Sequence, residues 1–272
     1  MNEICVVYLA RAQNGLPPFQ SFLDSYRRHA AGREHDLLIV FKGFPDPKSQ
    51  EPLRELAAEF SPLFLSISDF GYDLRAYRLA ARAFSHRYYC LLNSFSEILA
   101  GNWLEIMHRA IQETGVGLVG ATGSCESMYS NVLAEAAESP GLPCQRKLAL
   151  QVRTRLCSVC FKPFPNYHLR TNGLMIPREL MLEVWPRVVL TKRGCYLFEN
   201  GKSSLTRRVE RLKLKPVLVG RDGKSYEKAT WSQSRTFRLG AQENLLIADN
   251  QTRLFSSADP ARRAQLTRLA WG

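Results

Sequence analysis

The sequence predicts an α/β fold, a mostly parallel sheet with helices on both faces. Three observations predict it. Short apolar runs alternate with helical segments five times through the first 120 residues. The runs at 4–9 and 88–92 are continuously apolar, as strands buried on both faces are. The fourth run then stops abruptly at Asn93-Ser94-Phe95-Ser96-Glu97. Open α/β sheets bind ligands at the carboxyl ends of their strands, so this polar cluster is the first place to look for a site.

In chain order, residues 4–9 are the first strand, punctuated by Gly15 and Pro17-Pro18. Phe19, Phe22, Leu23 and Tyr26 follow at helical spacing. Residues 35–41 give a second strand, Leu53, Leu56, Ala57 and Phe60 a helix, and 63–67 a third strand leading into a polar loop at Asp69. Leu74, Tyr77, Ala81 and Phe84 then share one helix face, with Arg75, Arg78 and Arg82 on the other. This helix returns the loop 69–73 to the end of the fourth strand. A helix through Trp103, Ile106, Met107 and Ala110 and a strand at 117–120 complete the alternation.

Beyond 120 the rhythm breaks. Residues 121–143 are small and polar, either a mobile loop over a site or a surface excursion. Residues 147–161 read as a helix, 164–167 as a turn, and 169–176 as one strand, with Pro177 at the first position of a helix. The helix 204–212 turns Leu205, Val209 and Leu212 inward and Arg207, Arg208 and Arg211 outward. Residues 216–220 are a strand ending in Arg221-Asp222-Gly223, and 245–248 a short one. Asp259-Pro260 caps and starts a last helix. Trp231 and Trp271 read as core.

The 272 residues suffice for one large α/β domain or two small ones. No apolar run approaches the roughly 20 residues of a membrane-spanning helix. The first residues read as a strand rather than a signal peptide, and the expectation is a cytoplasmic protein. Seven cysteines, an odd number, suit a reducing compartment. Cys157-Ser-Val-Cys160 lacks the second pair that structural zinc requires. Charge is uneven. Residues 1–150 carry 14 Lys+Arg and 16 Asp+Glu, whereas 151–272 carry 23 and 9, so the second part holds +14. That asymmetry points to an anionic partner: nucleotide phosphates, an acidic membrane surface or nucleic acid. Neither G-x-G-x-x-G nor G-x-x-x-x-G-K-[ST] is present, so a dinucleotide fold and a P-loop are unsupported.

Six strings, in order, carry a resemblance: Asp69-Phe-Gly-Tyr-Asp73-Leu-Arg-Ala-Tyr77, Leu92-Asn-Ser, Arg170-Thr-Asn-Gly-Leu-Met-Ile176, Tyr196-Leu-Phe-Glu-Asn-Gly201, Val219-Gly-Arg-Asp-Gly223 and Ala248-Asp-Asn-Gln-Thr252. Together with the strand–helix order, they make the chain similar to GT-A-fold bacterial glycosyltransferases of the surface-polysaccharide type (lipopolysaccharide, capsule or O-antigen). The resemblance implies a GT-A-like fold. Residues 1–125 would be the nucleotide-sugar half and 126–272 the basic acceptor half of the same domain. It implies transfer of a hexosyl or deoxyhexosyl group from a nucleotide-diphosphate sugar to a saccharide or lipid-linked saccharide, with peripheral contact at the inner face of an anionic membrane.

Donor binding falls to Arg11, Asp69, Tyr72, Asp73, Arg75, Arg78, Asn93 and Ser94. Arginines can reach phosphate, and Tyr72 can stack or hydrogen-bond. Arg170, Thr171, Asn172 and Arg221 are expected to meet the acceptor or phosphate. Glu199 is the expected general base, because a sugar hydroxyl needs a group to take its proton. It is expected just ahead of the helix at Ser204, whose dipole would keep it ionised. The chain departs from the family at Asn93-Ser94-Phe95, where an Asp-x-Asp usually holds a divalent ion. Only Glu97 is near, so manganese or magnesium is an open cofactor expectation. Two other readings stand beside this one. A non-catalytic GT-A-like carbohydrate- or partner-binding protein is favoured by the missing carboxylates. A nucleic-acid-binding protein is favoured by the +14 but lacks a recognition signature, and no nucleic acid is expected.

Overall fold

The computed structural model describes residues 2–137 and 143–272. The first part runs β1 (Ile4–Arg11), α1 (Pro17–Arg28), β2 (Asp36–Lys42), α2 (Glu51–Ala57), β3 (Leu63–Ile67), α3 (Asp73–Ala83), β4 (Tyr88–Leu92), β5 (Glu97–Ile98), α4 (Trp103–Ile111) and β6 (Val116–Gly120). The second continues with β7 (Gly123–Ser124), α5 (Met128–Ala137), α6 (Cys144–Cys160), β8 (His168–Leu169), β9 (Leu174–Pro177), α7 (Arg178–Val184), α8 (Lys192–Asn200), α9 (Leu205–Arg211), β10 (Lys215–Val219), β11 (Ser225–Tyr226), β12 (Ile247–Ala248), α10 (Asn250–Ser257) and α11 (Pro260–Trp271).

Eight strands form one sheet in the order β11-β10-β6-β9-β4-β1-β2-β3. The pairs β1–β2, β2–β3, β1–β4 and β6–β10 are parallel. Strand β9 runs antiparallel between β4 and β6, and β11 is an antiparallel edge. Two small ladders, β5–β12 and β7–β8, lie apart from the sheet.

The continuous apolar runs are explained by cover on both faces. In β1, Ile4, Val6, Tyr8 and Ala10 face a core shared with α1, α2 and α4. Cys5, Val7 and Leu9 face a second core under α3, α7 and α9. Helices α1 and α2 return the chain to one face and α3 to the other. The chain reverses direction across the sheet there, which puts the switch point between β1 and β4.

The expected strand 169–176 is two strands in two sheets. Strand β8 pairs with β7, and β9 pairs with β4 and β6. Gly173 makes the transfer with φ +66°, and a Cβ there would lie 2.9 Å from that of Ala121. Left-handed backbone and close approach both require glycine. Residues 128–137 are helical, not loop, while 138–142 lie outside the described residues. Residues 192–200 are also helical, started by the Thr191 side chain accepting from the Gly194 amide at 3.0 Å. Leu212, expected inward, is exposed beyond the end of α9. Trp231 is fully buried and Trp271 partly so.

Candidate active site

Three charged side chains meet where the parallel strands end. Arg11 closes β1, Lys42 closes β2, and Asp69 follows β3 by two residues. Arg11 donates from Nε and Nη2 to the two Asp69 oxygens, each at 3.1 Å. Lys42, only 1% exposed, donates from Nζ to Asp69 Oδ1 and to its carbonyl oxygen, both at 2.6 Å. A buried ammonium needs such partners. The hydrogen bonds from Arg11 and then Lys42 hold the Asp69 carboxyl down at about 2, so it is ionised at any physiological pH.

Asp73 opens α3 beside this cluster. Its outer edge is open, but protein crowds its other sides, and the desolvation pushes its carboxyl up against the pull of Lys42 and Arg11. Tyr72 and Phe70 are exposed on the approach. Arg75 lies over the Phe70 ring at 5.5 Å and donates to Ser68 Oγ at 3.4 Å. One turn into α3, the Tyr77 hydroxyl is buried without a partner among the described residues.

The tripeptide Arg170-Thr171-Asn172, in the break between β8 and β9, links this crevice to a second region. Asn172 Oδ1 accepts from the Asn93 amide at 2.9 Å and from Ser96 Oγ at 2.7 Å, at the end of β4. Thr171 donates from its amide at 2.9 Å and its hydroxyl at 2.5 Å to Glu199 Oε2. Arg170 donates from Nη2 to Asp249 Oδ2 at 2.8 Å and stacks over Phe237 at 4.4 Å. Asp249 also caps α10 through the Gln251 and Thr252 amides. Burial alone would raise its carboxyl, but Arg170 and these amides pull it below the ordinary range.

A cavity of about 590 Å³ lies on the far side of the tripeptide, lined among others by Glu126, His168, Arg170, Tyr196, Glu199 and Arg238. That volume suits a small-molecule site. Burial lowers the His168 imidazole, so it stays neutral against the opposing charge of Glu199. Arg238 donates to Glu126 Oε2 at 3.2 Å and Gln251 Oε1 at 3.0 Å. Its Nε and Asn200 Oδ1 are buried without partners among the described residues.

Several expectations are corrected by these positions. Arg78 donates to the carbonyls of Leu182 at 3.4 Å and Trp185 at 3.2 Å, so it closes the end of α7 rather than facing the crevice. Ser94 is buried, its Oγ donating to Leu9 O and its carbonyl accepting from Tyr8, both at 2.7 Å. It ties β1 to β4. Arg221 donates to Leu245 O at 2.5 Å and is not among the cavity residues. Glu199 lies in the last turn of α8 rather than at the N-terminal end of the next helix. Two hydrogen bonds from Thr171 hold its carboxylate in place. The sequence reading also passed over Lys42, Asp249 and Arg253. Only the Asp249-x-x-Thr252 capping pattern was a visible signal.

The carboxylates near β4 do not fit a divalent ion. Asn93 Oδ1 accepts from the Phe95 amide at 2.8 Å. Glu97 is paired with Arg253 at 2.7 Å, and Asp249 with Arg170. No group of three or more His, Cys, Asp or Glu side chains is placed for a metal among the described residues.

No protein-family model matches the chain. No curated protein matches it either. Among solved structures, the mannosyltransferase PcManGT from Pyrobaculum calidifontis, in complex with GDP-Man and Mn2+, has a TM-score of 0.49 at 14% identity, over 86% of this chain and 59% of its own. S. aureus TarS 1-349 has a TM-score of 0.47 at 9% identity, over 98% of this chain and 70% of its own. The chain thus spans 59% of the length of the mannosyltransferase it is similar to. At these scores neither likeness bears on any residue of the site.

Proposed function

We propose that this chain is a GT-A-like glycosyltransferase that moves a sugar from a nucleotide-diphosphate donor to a saccharide hydroxyl. The observation that carries the reading is the tripeptide 170–172. It fastens Glu199, at the cavity, within one residue of Asn172, which holds the end of β4 at the switch point. In this reading, one short stretch of backbone connects the proposed base to the end of β4, beside the proposed donor crevice.

In this reading residues 1–125 hold the donor and 126–272 receive the acceptor. The nucleotide lies along Arg11, Asp69, Tyr72 and Asp73, and Arg75 reaches its phosphates. The acceptor enters the cavity, and Glu199 takes the hydroxyl proton as oxygen attacks the anomeric carbon. The diphosphate leaves with the bonding electron pair. A divalent ion on that diphosphate would supply charge neutralisation, but the residues here offer it no carboxylate set. Arg11 and Arg75 on the approach, with Arg253 by the end of β4, are the cations that take this role in the reading, and electrostatic stabilisation of a leaving group by fixed cations is a large term. The sugar is a hexose or deoxyhexose, and the product belongs to a surface polysaccharide built on a lipid-linked acceptor at an anionic membrane.

Crosslinking with a photoreactive nucleotide sugar tests this. Label on the segments around Arg11, Lys42 and 69–75 supports it, and label confined to residues beyond 150 overturns it. The occupied carboxylates favour one second reading, sugar binding without transfer. A donor that raises the melting temperature yet is never consumed with any acceptor would select that reading.

A further inference from the structure

The helix α6 exposes an apolar stripe that none of the described residues covers. Leu148, Val152, Leu156 and Val159, at i, i+4, i+8 and i+11, share one face and are 49% to 69% exposed. The opposite side packs through Leu150, Cys157 and Phe161 against Met128, Tyr129 and Val132 of α5. Val159 lies on the rim of a hollow of about 510 Å³ that Val188 and Leu190 also line, both more than 60% exposed. The stripe therefore continues from the helix onto the loop between α7 and α8.

Along the chain, the residues flanking this band are basic. No Asp or Glu occurs between Glu138 and Glu179, or between Glu183 and Glu199. Arg146, Lys147, Arg155 and Lys162 flank the stripe along the chain, and Arg187, Lys192 and Arg193 the loop. Val188 also borders a second hollow of about 700 Å³, lined by Arg78, Arg82, Arg178 and Arg187. Exposed aliphatic side chains on a helix flanked mostly by basic residues make the pattern of an interfacial segment. A protein partner of ordinary composition would meet a mostly basic surface here, relieved at Arg153 by its pair with Glu135. An anionic lipid surface offers hydrocarbon for the aliphatic side chains and phosphate for the arginines together.

We propose that α6 and the loop 186–190 dock this protein on an anionic bilayer. The four aliphatic side chains of α6 with Val188 and Leu190 enter the headgroup boundary, and the arginine hollow takes lipid phosphates. The inference rests on the membrane part of the reading above and names its surface. It also gives that reading a geometry. Arg153 lines the acceptor cavity and pairs with Glu135 at 2.8 Å, while Val152 on the same helix points outward. One helix therefore separates the cavity from the proposed lipid face, so a lipid-linked saccharide has a short path to Glu199.

The test is flotation of the full chain with phosphatidylcholine vesicles, with and without phosphatidylglycerol. Retention only on the anionic vesicles, falling as salt rises, is expected. Val152→Asp with Leu156→Asp, and separately Val188→Asp with Leu190→Asp, should each weaken retention by about tenfold or more. Both pairs are exposed, and the loop pair leaves α6 untouched should the helix variant misfold. Anionic binding that survives both pairs overturns the surface and leaves the membrane reading standing. Equal binding to neutral vesicles, or none to either, overturns both. A dimer on sizing that the same substitutions dissolve overturns the proposal in favour of self-association.

Discussion

Thr171 gives both its hydrogen bonds to a single oxygen of Glu199, Oε2, and leaves Oε1 with no partner among the described residues. A carboxylate held by one oxygen is fixed in direction and keeps the other for a substrate. Glu199→Gln keeps the shape and an acceptor oxygen for Thr171, but removes the base. Turnover should fall by about a hundredfold or more with nucleotide binding intact, read from initial rates and a nucleotide thermal shift. Transfer at the parent rate would remove Glu199 from the mechanism.

The buried Arg170–Asp249 pair joins the tripeptide to the start of α10. Its side chains are 13% and 1% exposed, so removing one partner strands a buried charge. Asp249→Ala should cost about 3–5 kcal/mol in urea unfolding. The folded Asp249 carboxyl lies below its ordinary value, so its contribution is present above pH 3.8 and is lost as pH falls below it. A variant as stable as the parent at pH 7 would show that Arg170 finds another partner.

Asp69 makes a second pH prediction with the same sign. Its folded value of about 2 lies below the ordinary 3.8. The stability it adds is full above 3.8 and disappears as pH falls through 2. The melting temperatures of parent and Asp69→Asn should differ at pH 6 and converge toward pH 2. Because Asp69 is half-exposed, the difference is small, but the buried Lys42 amine loses an anion and sets its direction. Convergence near pH 4 instead would mean that Arg11 and Lys42 do not hold this carboxylate in solution.

Transfer should survive chelation, since the acids near β4 are already paired. Arg253→Ala, which frees Glu97 and removes a cation from the crevice, should lower turnover by about tenfold or more. Loss of activity with chelator, restored by manganese, would refute the metal-free assignment and point to Glu97.

The sequence showed the first half of the fold nearly residue by residue. Residues 63–67 and 88–92 are strands with those same ends; 88–92 is buried on both faces and leaves an unbroken apolar signal, and 63–67 is an edge strand broken only by Ser66. The second half was harder. Helix α5 buries only Val132, so it has no stripe to read, and α8 contains Gly194. In the site, the crevice acids were visible at strand ends, but partners brought from a distance were not. Arg78 looked free on its helix face because α7, which covers it, comes about a hundred residues later. Lys42 lay just beyond the expected strand 35–41, and only the fold shows its amine beneath Asp69.

The antiparallel β9 has a consequence for how the chain reaches this state. It pairs Leu91 with Leu174 on one side and Gly120 with Leu174 on the other, so among the described residues it bridges β4 and β6. A ribosome makes β6 about fifty residues before β9. Strands β1 to β4 can assemble as they emerge, but β6 must wait as an unpaired apolar segment. Such long-range closure is slow and exposes strand edges in the meantime. A chain stopped after β6 would carry two open edges that match β9, and β9 supplied later as a separate fragment should rescue it.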